Sequence, residues 1–156
     1  MTSKKTFTVL LADDDDDYYF LTKQAFEVVC PDDKLLRVED GVELLEYLRS
    51  EGKYKKGTVR PNVILLDLNM PRKNGQQALK EIKSDPVLKD IPVVILSTSK
   101  FEQDIVESYG LGAHSYIWKP IGFKQLIDMV KVFSQYWFQT IERRPNFKAG
   151  DAQRGA

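Results

Sequence analysis

Asp67 is the residue of this chain whose type and position most clearly predict chemistry. It ends an apolar run, residues 63–66, and the acid pair Asp13 and Asp14 follows a second apolar run, residues 9–12. Short runs of Val, Ile and Leu are typical of strands buried on both faces of a parallel sheet. Carboxylates at neighbouring strand ends would share one site, where they raise one another's proton affinity unless a cation neutralises them. The pattern therefore predicts a hard divalent metal and phosphate chemistry.

Two more predicted strands end in polar residues that suit the same chemistry. Ser97 follows the apolar residues 93–96, and Lys119 follows residues 116–118. A carboxylate can take up a phosphoryl group as a nucleophile, and Mg²⁺ is usually held by one or two carboxylates with phosphate oxygens. A lysine ammonium and a hydroxyl can stabilise phosphoryl oxygens. Each residue alone predicts little, but all of them fall at the same end of successive strands.

The run of five aspartates that follows the first strand has a second use, because a strand-end Asp often caps the next helix. We expect Asp16 and Asp17 to cap the first helix and to suit its dipole, with Asp15 as a further candidate for the cap. On this interpretation the first two aspartates serve the chemical site, and the last two stabilise the start of the first helix.

Strands and helices alternate along the chain. The predicted strands are residues 6–12, 34–39, 62–68, 92–96 and 114–118. The predicted helices are residues 16–29, 41–50, 74–84, 102–111 and a long last helix over 122–143. Residues 51–61 are expected to form a surface loop. The alternation predicts an α/β fold: a five-stranded parallel sheet with right-handed crossovers, helices on both faces and the flavodoxin-like order 2-1-3-4-5. That order places strands one and three side by side, where Asp13, Asp14 and Asp67 would meet.

The whole chain sets the broad class. Its 156 residues suit one domain, and 23 basic residues balance 23 acidic ones, which argues against a nucleic-acid partner. One cysteine, Cys30, excludes an intrachain disulfide. No apolar run approaches the roughly 20 residues of a membrane span, and the first residues lack the pattern of a signal peptide. We expect a soluble cytoplasmic protein without a membrane partner.

Four short motifs in combination resemble the receiver domain of two-component response regulators. They are the pair Asp13-Asp14, the segment 65–71 followed by Asn74-Gly75, the segment 96–99 and the segment 118–120. The resemblance covers nearly the whole chain, and we expect a receiver domain over residues 6–144 and a disordered tail over 145–156. The longer loop at residues 51–61 and the aromatic end of the last helix are similar to small stand-alone regulators typified by the cyanobacterial phytochrome response regulators.

The resemblance implies a phosphoacceptor and a metal site. Asp67 would accept a phosphoryl group from a histidine kinase or a phosphotransfer protein. Mg²⁺, or Mn²⁺ in its place, would be bound by Asp14, Asp67 and the backbone carbonyl of Asn69, with help from Asp13. Lys119 would pair first with Asp67 and then with the phosphoryl group.

The resemblance also implies a switch and two backbone features. Ser97 would swing toward the phosphoryl oxygens, and Tyr116 would turn inward as Ser97 moves. The peptide bond from Lys119 to Pro120 would be cis, which costs little before proline. Gly75 would take a special backbone conformation before the third helix.

The expected output is a protein contact. The chain would be a signalling protein, with self-catalysed phosphotransfer and autodephosphorylation as its only catalysis. It would act on a downstream protein target or pass the phosphoryl group on in a relay. The last helix carries apolar residues beside its core stripe: Met129, Val132, Tyr136 and Phe138. They predict either a homodimer or kinase-docking surface, or a longer intramolecular packing arm.

Other classes of protein would need different residues at the positions of the predicted site. A phosphohydrolase with an Asp nucleophile usually wants an acid two residues later, where this chain has Asn69, which cannot transfer that proton. A flavodoxin-like ligand-binding module would want a Gly-, Ser- or Thr-rich loop after the first strand, where this chain has aspartates that would repel phosphate in the absence of a metal. A receiver-like domain that works without phosphorylation would not need Asp13, Asp14, Asp67, Ser97 and Lys119 together.

Overall fold

The computed structural model describes residues 6–137, which contain one parallel sheet of five strands. The strands are β1 (Thr8–Ala12), β2 (Lys34–Val38), β3 (Val63–Leu66), β4 (Val93–Ser97) and β5 (Ser115–Trp118). Their order is β2-β1-β3-β4-β5, and every neighbouring pair is parallel. The predicted α/β fold and strand order are confirmed, and β1 and β3 are neighbours, as the predicted site requires.

Five α-helices alternate with the strands and cover both faces of the sheet. They are α1 (Asp16–Val29), α2 (Gly41–Arg49), α3 (Gly75–Ser84), α4 (Glu102–Gly110) and α5 (Phe123–Ser134). Apart from α5, the predicted strands and helices differ from the observed ones by at most two residues at either end. Residues 135–137 continue α5 as a π-helical turn, and its predicted continuation to residue 143 and the predicted tail 145–156 lie outside the described residues. No described helix is long and apolar enough to cross a membrane.

The core consists of two apolar layers, one on each face of the sheet. Ile64 and Leu66 of β3 face the layer formed with α2 and α3, whereas Val63 and Leu65 face the layer formed with α1 and α5. All four side chains are fully buried, and burying a side chain of this size stabilises the fold by about 1.5–3 kcal/mol. The central strands are therefore firmly held, and so is the position of Asp67, the residue that follows β3.

Of the predicted cap residues of α1, Asp15 is confirmed, whereas the prediction that Asp16 and Asp17 cap the helix is wrong. Asp15 is the N-cap, and its side chain accepts a hydrogen bond from the backbone N–H of Tyr18 at 3.1 Å. Asp16 and Asp17 lie inside the first turn, where their charge suits the helix dipole. The cap must lie outside the helix because only a residue with extended backbone can turn its side chain back onto the first N–H groups. Asp15 has that backbone, with φ −86° and ψ 108°.

Gly75 is required for a different reason from the predicted one. It begins α3, and positive φ in this region belongs to Arg72 at 63° instead. A Cβ atom on Gly75 would lie 2.4 Å from the carbonyl oxygen of Asp67 and 2.7 Å from the Cα of Leu68. The prediction of a special backbone conformation is therefore wrong: glycine is needed because the start of α3 touches the backbone of Asp67 and Leu68.

The segment 51–61 contains a short 3₁₀ helix, Gly52–Tyr54, and packs on α2. The Tyr54 hydroxyl donates to Glu43 at 2.6 Å, and the Tyr47 hydroxyl donates to the carbonyl of Val59 at 2.8 Å. The rings of Tyr47 and Tyr54 meet edge to face, with centroids 5.2 Å apart. The predicted surface loop is therefore attached to the body of the domain at several points.

We predict that Gly75→Ala lowers the free energy of unfolding by about 1–3 kcal/mol, because the new methyl group meets backbone atoms that cannot move aside. Urea unfolding followed by circular dichroism measures this. Gly110→Ala is the matched control, since its Cβ would meet nothing within 4 Å, and we expect no loss there. Equal stability of Gly75→Ala and wild type would contradict this account of the turn.

Candidate functional site

Three carboxylates meet at the carboxyl ends of β1 and β3. Asp13 follows β1 and Asp67 follows β3, and the backbone N–H of Asp67 donates to the carbonyl of Ala12 at 3.0 Å. One oxygen from each of Asp13, Asp14 and Asp67 lies within 4.8 Å of the others. Asp13 and Asp67 are buried, whereas Asp14 is exposed. A compact set of oxygen ligands with one open side suits a hard divalent cation, and the three predicted acids are brought together.

Lys119 extends into this group of acids from the end of β5. Its Nζ lies 2.7 Å from Oδ2 of Asp13 and donates to Oδ2 of Asp67 at 3.2 Å. Its backbone N–H donates to the carbonyl of Ser97 at 2.8 Å, so the pairing of β4 with β5 fixes where the side chain starts. Burial lowers the pKa of Lys119, but the bonds and charges of the two carboxylates outweigh burial and raise the pKa overall. The ammonium is therefore charged at neutral pH.

The negative charge of Asp67 is only partly neutralised by the ammonium of Lys119. Burial raises the pKa of its carboxyl group above the usual range; the charge of Lys119 opposes this effect, and the charge of Asp13 adds to it. A single ammonium shared by two buried carboxylates leaves negative charge in the site. That excess is what a bound cation would neutralise, so the electrostatics agree with the ligand set.

The loop from β3 to α3 is held at both of its ends. The backbone N–H of Asn69 donates to Oδ1 of Asp67 at 3.2 Å. Arg72 binds both carboxylate oxygens of Asp40, at 2.9 and 3.1 Å, and the N–H of Gly41 donates to the carbonyl of Lys73 at 3.0 Å. The predicted metal ligand Asn69 therefore lies on a loop that is attached to the start of α2.

The two predicted switch residues contact one segment. Ser97 is fully buried, and its Oγ accepts from the N–H of Ser99 at 3.1 Å. The half-buried Tyr116 donates its hydroxyl to the carbonyl of Ser99 at 2.9 Å. Ser99 in turn donates to Asp104 in the first turn of α4 at 2.5 Å. The sequence motif contained Ser99 but gave no indication that it connects both switch residues to α4.

Tyr18 is a site residue that the sequence did not indicate. The centre of its ring lies 4.5 Å from Nζ of Lys119. Burial raises the pKa of its phenol above the usual range, and the charges of Asp13 and Asp67 raise it further. The phenol therefore stays protonated and adds no negative charge beside the carboxylates.

The predicted cis bond between Lys119 and Pro120 is not observed. All peptide bonds of residues 6–137 are trans, so this prediction is wrong for the present structure. The trans isomer is intrinsically favoured by about 0.5–1 kcal/mol before proline. Because Lys119 contacts both carboxylates with a trans bond, nothing in the observed ion pairs requires the cis isomer.

Comparison with known proteins gives one consistent family. Residues 9–131 match the family model described as the response regulator receiver domain. The response regulator Rcp1 of Synechocystis sp. (strain ATCC 27184 / PCC 6803 / Kazusa) is 38% identical over 133 residues, which are 85% of this chain and 90% of that protein.

Two solved structures are similar over most of the chain. The crystal structure of the phosphorylated cyanobacterial phytochrome response regulator RcpA has 42% sequence identity and a TM-score of 0.81, and the match covers 87% of this chain and 96% of that one. The Mn²⁺-bound form of response regulator Rcp1 has 37% identity and a TM-score of 0.79, over 86% of this chain and 96% of that one. Each match therefore spans most of this chain and nearly all of the similar structure.

We predict that Asp67→Asn becomes more stable relative to wild type as the pH rises from about 4, near the unfolded pKa of Asp, toward neutrality. The pKa of Asp67 is raised in the folded state, so its stabilising contribution is present below the unfolded pKa and is lost as the pH rises through the folded pKa. Asparagine does not titrate. Urea unfolding over a pH series without divalent ions measures the difference, and a constant or falling difference would contradict the raised pKa.

Proposed function

Because the chain belongs to the response regulator receiver domain family, we propose that Asp67 is the carboxylate that accepts a phosphoryl group from a histidine kinase or a phosphotransfer protein. The observation that supports this most is the position of Asp67, which is buried at the end of β3 with Asp13, Asp14 and Lys119 around it. The protein is a signalling protein and not a classical enzyme.

The proposed chemistry is displacement at phosphorus. A carboxylate oxygen of Asp67 forms a bond to phosphorus as the bond to the donor's leaving group breaks. Transfer of this kind needs mainly positioning and charge neutralisation from the protein. Lys119 already contacts Asp67 at 3.2 Å and would turn from the carboxylate toward the phosphoryl oxygens. Self-catalysed uptake from small phosphodonors and slow autodephosphorylation are parts of the same proposal.

The proposed cofactor is Mg²⁺, with Mn²⁺ as a possible substitute. Asp14, Asp67 and the backbone carbonyl of Asn69 would hold it, with Asp13 as a further ligand or a partner through water. The three carboxylates fit a hard cation, and the similar response regulator Rcp1 has been solved with Mn²⁺. When bound, the cation would neutralise the carboxylates and the incoming phosphoryl group, which could not otherwise approach one another.

The proposed switch starts from the charge that phosphorylation adds, about −1.5 to −2 at pH 7 for side-chain phosphates. Ser97 would exchange its contact with the Ser99 N–H for one with a phosphoryl oxygen. Since Tyr116 also binds Ser99, and Ser99 binds Asp104, the change would extend to the start of α4. Phosphorylation would thus shift an equilibrium between two arrangements of this segment.

The proposed output is a protein contact at the outer side of α5 in a cytoplasmic two-component pathway. One side of this helix is buried against the domain through Leu126, Val130 and Phe133, whereas Val132 is 67% exposed and Tyr136 is 43% exposed. Exposed apolar side chains one turn apart on a helix suit an interaction surface, and Tyr136 also packs on His114 of its own domain, with ring centroids 5.8 Å apart. We propose a second copy of this chain as the occupant, and a downstream protein target or a phosphorelay for the signal itself. The predicted contribution of Phe138 lies outside the described residues.

The phosphohydrolase and the flavodoxin-like module receive no support from the site. Asn69 occupies the position where a phosphohydrolase needs an acid, and its backbone N–H binds Asp67. Aspartates follow β1 where a flavodoxin-like module would present uncharged phosphate-binding groups. The family match favours neither alternative.

We predict that wild type becomes phosphorylated when incubated with acetyl phosphate and Mg²⁺, and that Asp67→Asn does not. The amide is a far weaker nucleophile and lacks the charge that would hold the cation. Intact-protein mass spectrometry measures uptake. Asp17→Asn, an exposed acid of α1 outside the site, is the matched control and should be phosphorylated like wild type. Equal uptake by Asp67→Asn and wild type would refute the assignment.

We also predict that wild type has the mass of a dimer in light scattering and that the double variant Val132→Asp, Tyr136→Asp has the mass of a monomer. Two buried carboxylates on each copy at the interface would cost more than the apolar contact gains. Val87→Asp places the same charge at a valine that is 69% exposed away from α5, and should leave the mass unchanged. A wild type that is monomeric with and without phosphorylation would exclude this interface.

A further inference from the structure

Lys119 has a third partner beside the two carboxylates. Its Nζ lies 4.5 Å from the centre of the Tyr18 ring, in addition to its contacts of 2.7 Å with Asp13 and 3.2 Å with Asp67. We propose that Tyr18 is a positioning residue for Lys119, and that the face of its ring holds the ammonium between the two acids. This inference rests on the proposed function for its consequence, but the contact itself can be tested independently.

The backbone of Tyr18 is well fixed for this task. Its N–H is bound by the side chain of Asp15 at 3.1 Å, and its carbonyl accepts the hydroxyl of the fully buried Thr22 at 2.7 Å. Both bonds lie in the first turns of α1, directly after the acid run. The ring is therefore placed by the same segment that carries Asp13 and Asp14.

The ring makes the relevant contact, and the hydroxyl does not. The Tyr18 hydroxyl is buried and makes no hydrogen bond within the described residues. The face of an aromatic ring attracts a cation, and more strongly when both are withdrawn from water. Phenylalanine should therefore replace Tyr18 without loss, whereas an aliphatic residue should not.

We expect the ring of Tyr18 to keep the side chain of Lys119 directed toward Asp67. Lysine carries its charge on a flexible four-carbon stem, and two nearby carboxylates alone do not fix its direction. Tyr18 and Lys119 line a cleft of about 280 Å³ together with Thr98, Pro120 and Leu126. A ring on the α1 side of this cleft disfavours lysine rotamers that turn away from Asp67. The ammonium is then already in place when a phosphoryl group arrives.

The first experiment measures the contact by NMR without any phosphodonor. The ε-methylene protons of Lys119 beside the ring face should show an upfield ring-current shift in wild type and in Tyr18→Phe, and should lose it in Tyr18→Leu. Tyr19→Leu is the matched control, because the neighbouring ring faces Arg37 at 5.0 Å. Circular dichroism checks folding, and Tyr18→Met replaces Tyr18→Leu should that variant not fold. Lys119 shifts that are the same in Tyr18→Leu and wild type would overturn the proposal.

The second experiment measures the rate of phosphorylation by acetyl phosphate at saturating Mg²⁺. We expect about a tenfold lower rate for Tyr18→Leu, in line with a partly desolvated cation–π contact, and wild-type rates for Tyr18→Phe and Tyr19→Leu. A normal rate for Tyr18→Leu would overturn the positioning role even with altered shifts. A wild type that takes up no phosphoryl group would refute the proposed function, while the NMR result would still decide whether Tyr18 holds Lys119.

Discussion

The ammonium of Lys119, buried between Asp13 and Asp67, is the interaction on which the rest of the site depends. Two carboxylates at adjacent strand ends repel one another, and withdrawing both from water is costly unless an opposite charge lies between them. Lys119 follows β5, which is two strands away from β3 in the sheet. At a strand spacing of about 4.8 Å, its side chain must bridge roughly 10 Å across the end of β4. A long stem is needed for that distance, and the short side chain of Ser97 at the end of β4 leaves the space open.

Rigidity is distributed unevenly around this ion group. The strands that carry the acids are fully buried, and the start of α3 packs so closely against Asp67 that only glycine fits. By contrast, α4 buries a single residue, Ser108, is preceded by Phe101, which makes no side-chain cap hydrogen bond, and leaves Val106 62% exposed. Segments with few buried contacts open and rearrange at the lowest cost. The Asp67 side of the site is therefore held firmly, whereas α4, the side proposed to respond to phosphorylation, is held by few buried contacts and is bound to Ser99 through Asp104.

The sequence predicted the parts of this arrangement that follow from local pattern. Buried strands show as apolar runs, and the chain order of strands and helices limits the topology, so the meeting of Asp13, Asp14 and Asp67 could be foreseen. The errors concern backbone details and close packing, which an apolar pattern does not determine. Whether Asp15 or Asp16 caps α1 depends on one backbone angle, and the close approach at Gly75 depends on where α3 packs. Tyr18 and Ser99 were missed because a tyrosine in a first helical turn and a serine in a loop are common. Only the folded chain places them beside Lys119 and Tyr116.

The segment 51–61 is connected to the loop beside Asp67 through contacts that the sequence could not predict. Burial would raise the pKa of Glu43, but its bonds with Tyr54, Lys53 and the backbone of Glu39 lower it overall, so this carboxylate stays ionised.

Glu43 lies in the first turn of α2, and the N-cap of that helix, Asp40, binds Arg72 of the loop that carries Asn69. Arg72 has a φ of 63°, which is unfavourable for a residue with a side chain and must be offset by its contacts. The ion pairs of Lys53 with Glu43 and of Arg72 with Asp40 therefore connect the segment 51–61, the start of α2 and the loop beside Asp67. A substitution at Tyr54, which lies 13 residues before Asp67, would act on the loop of Asn69 through this series of contacts.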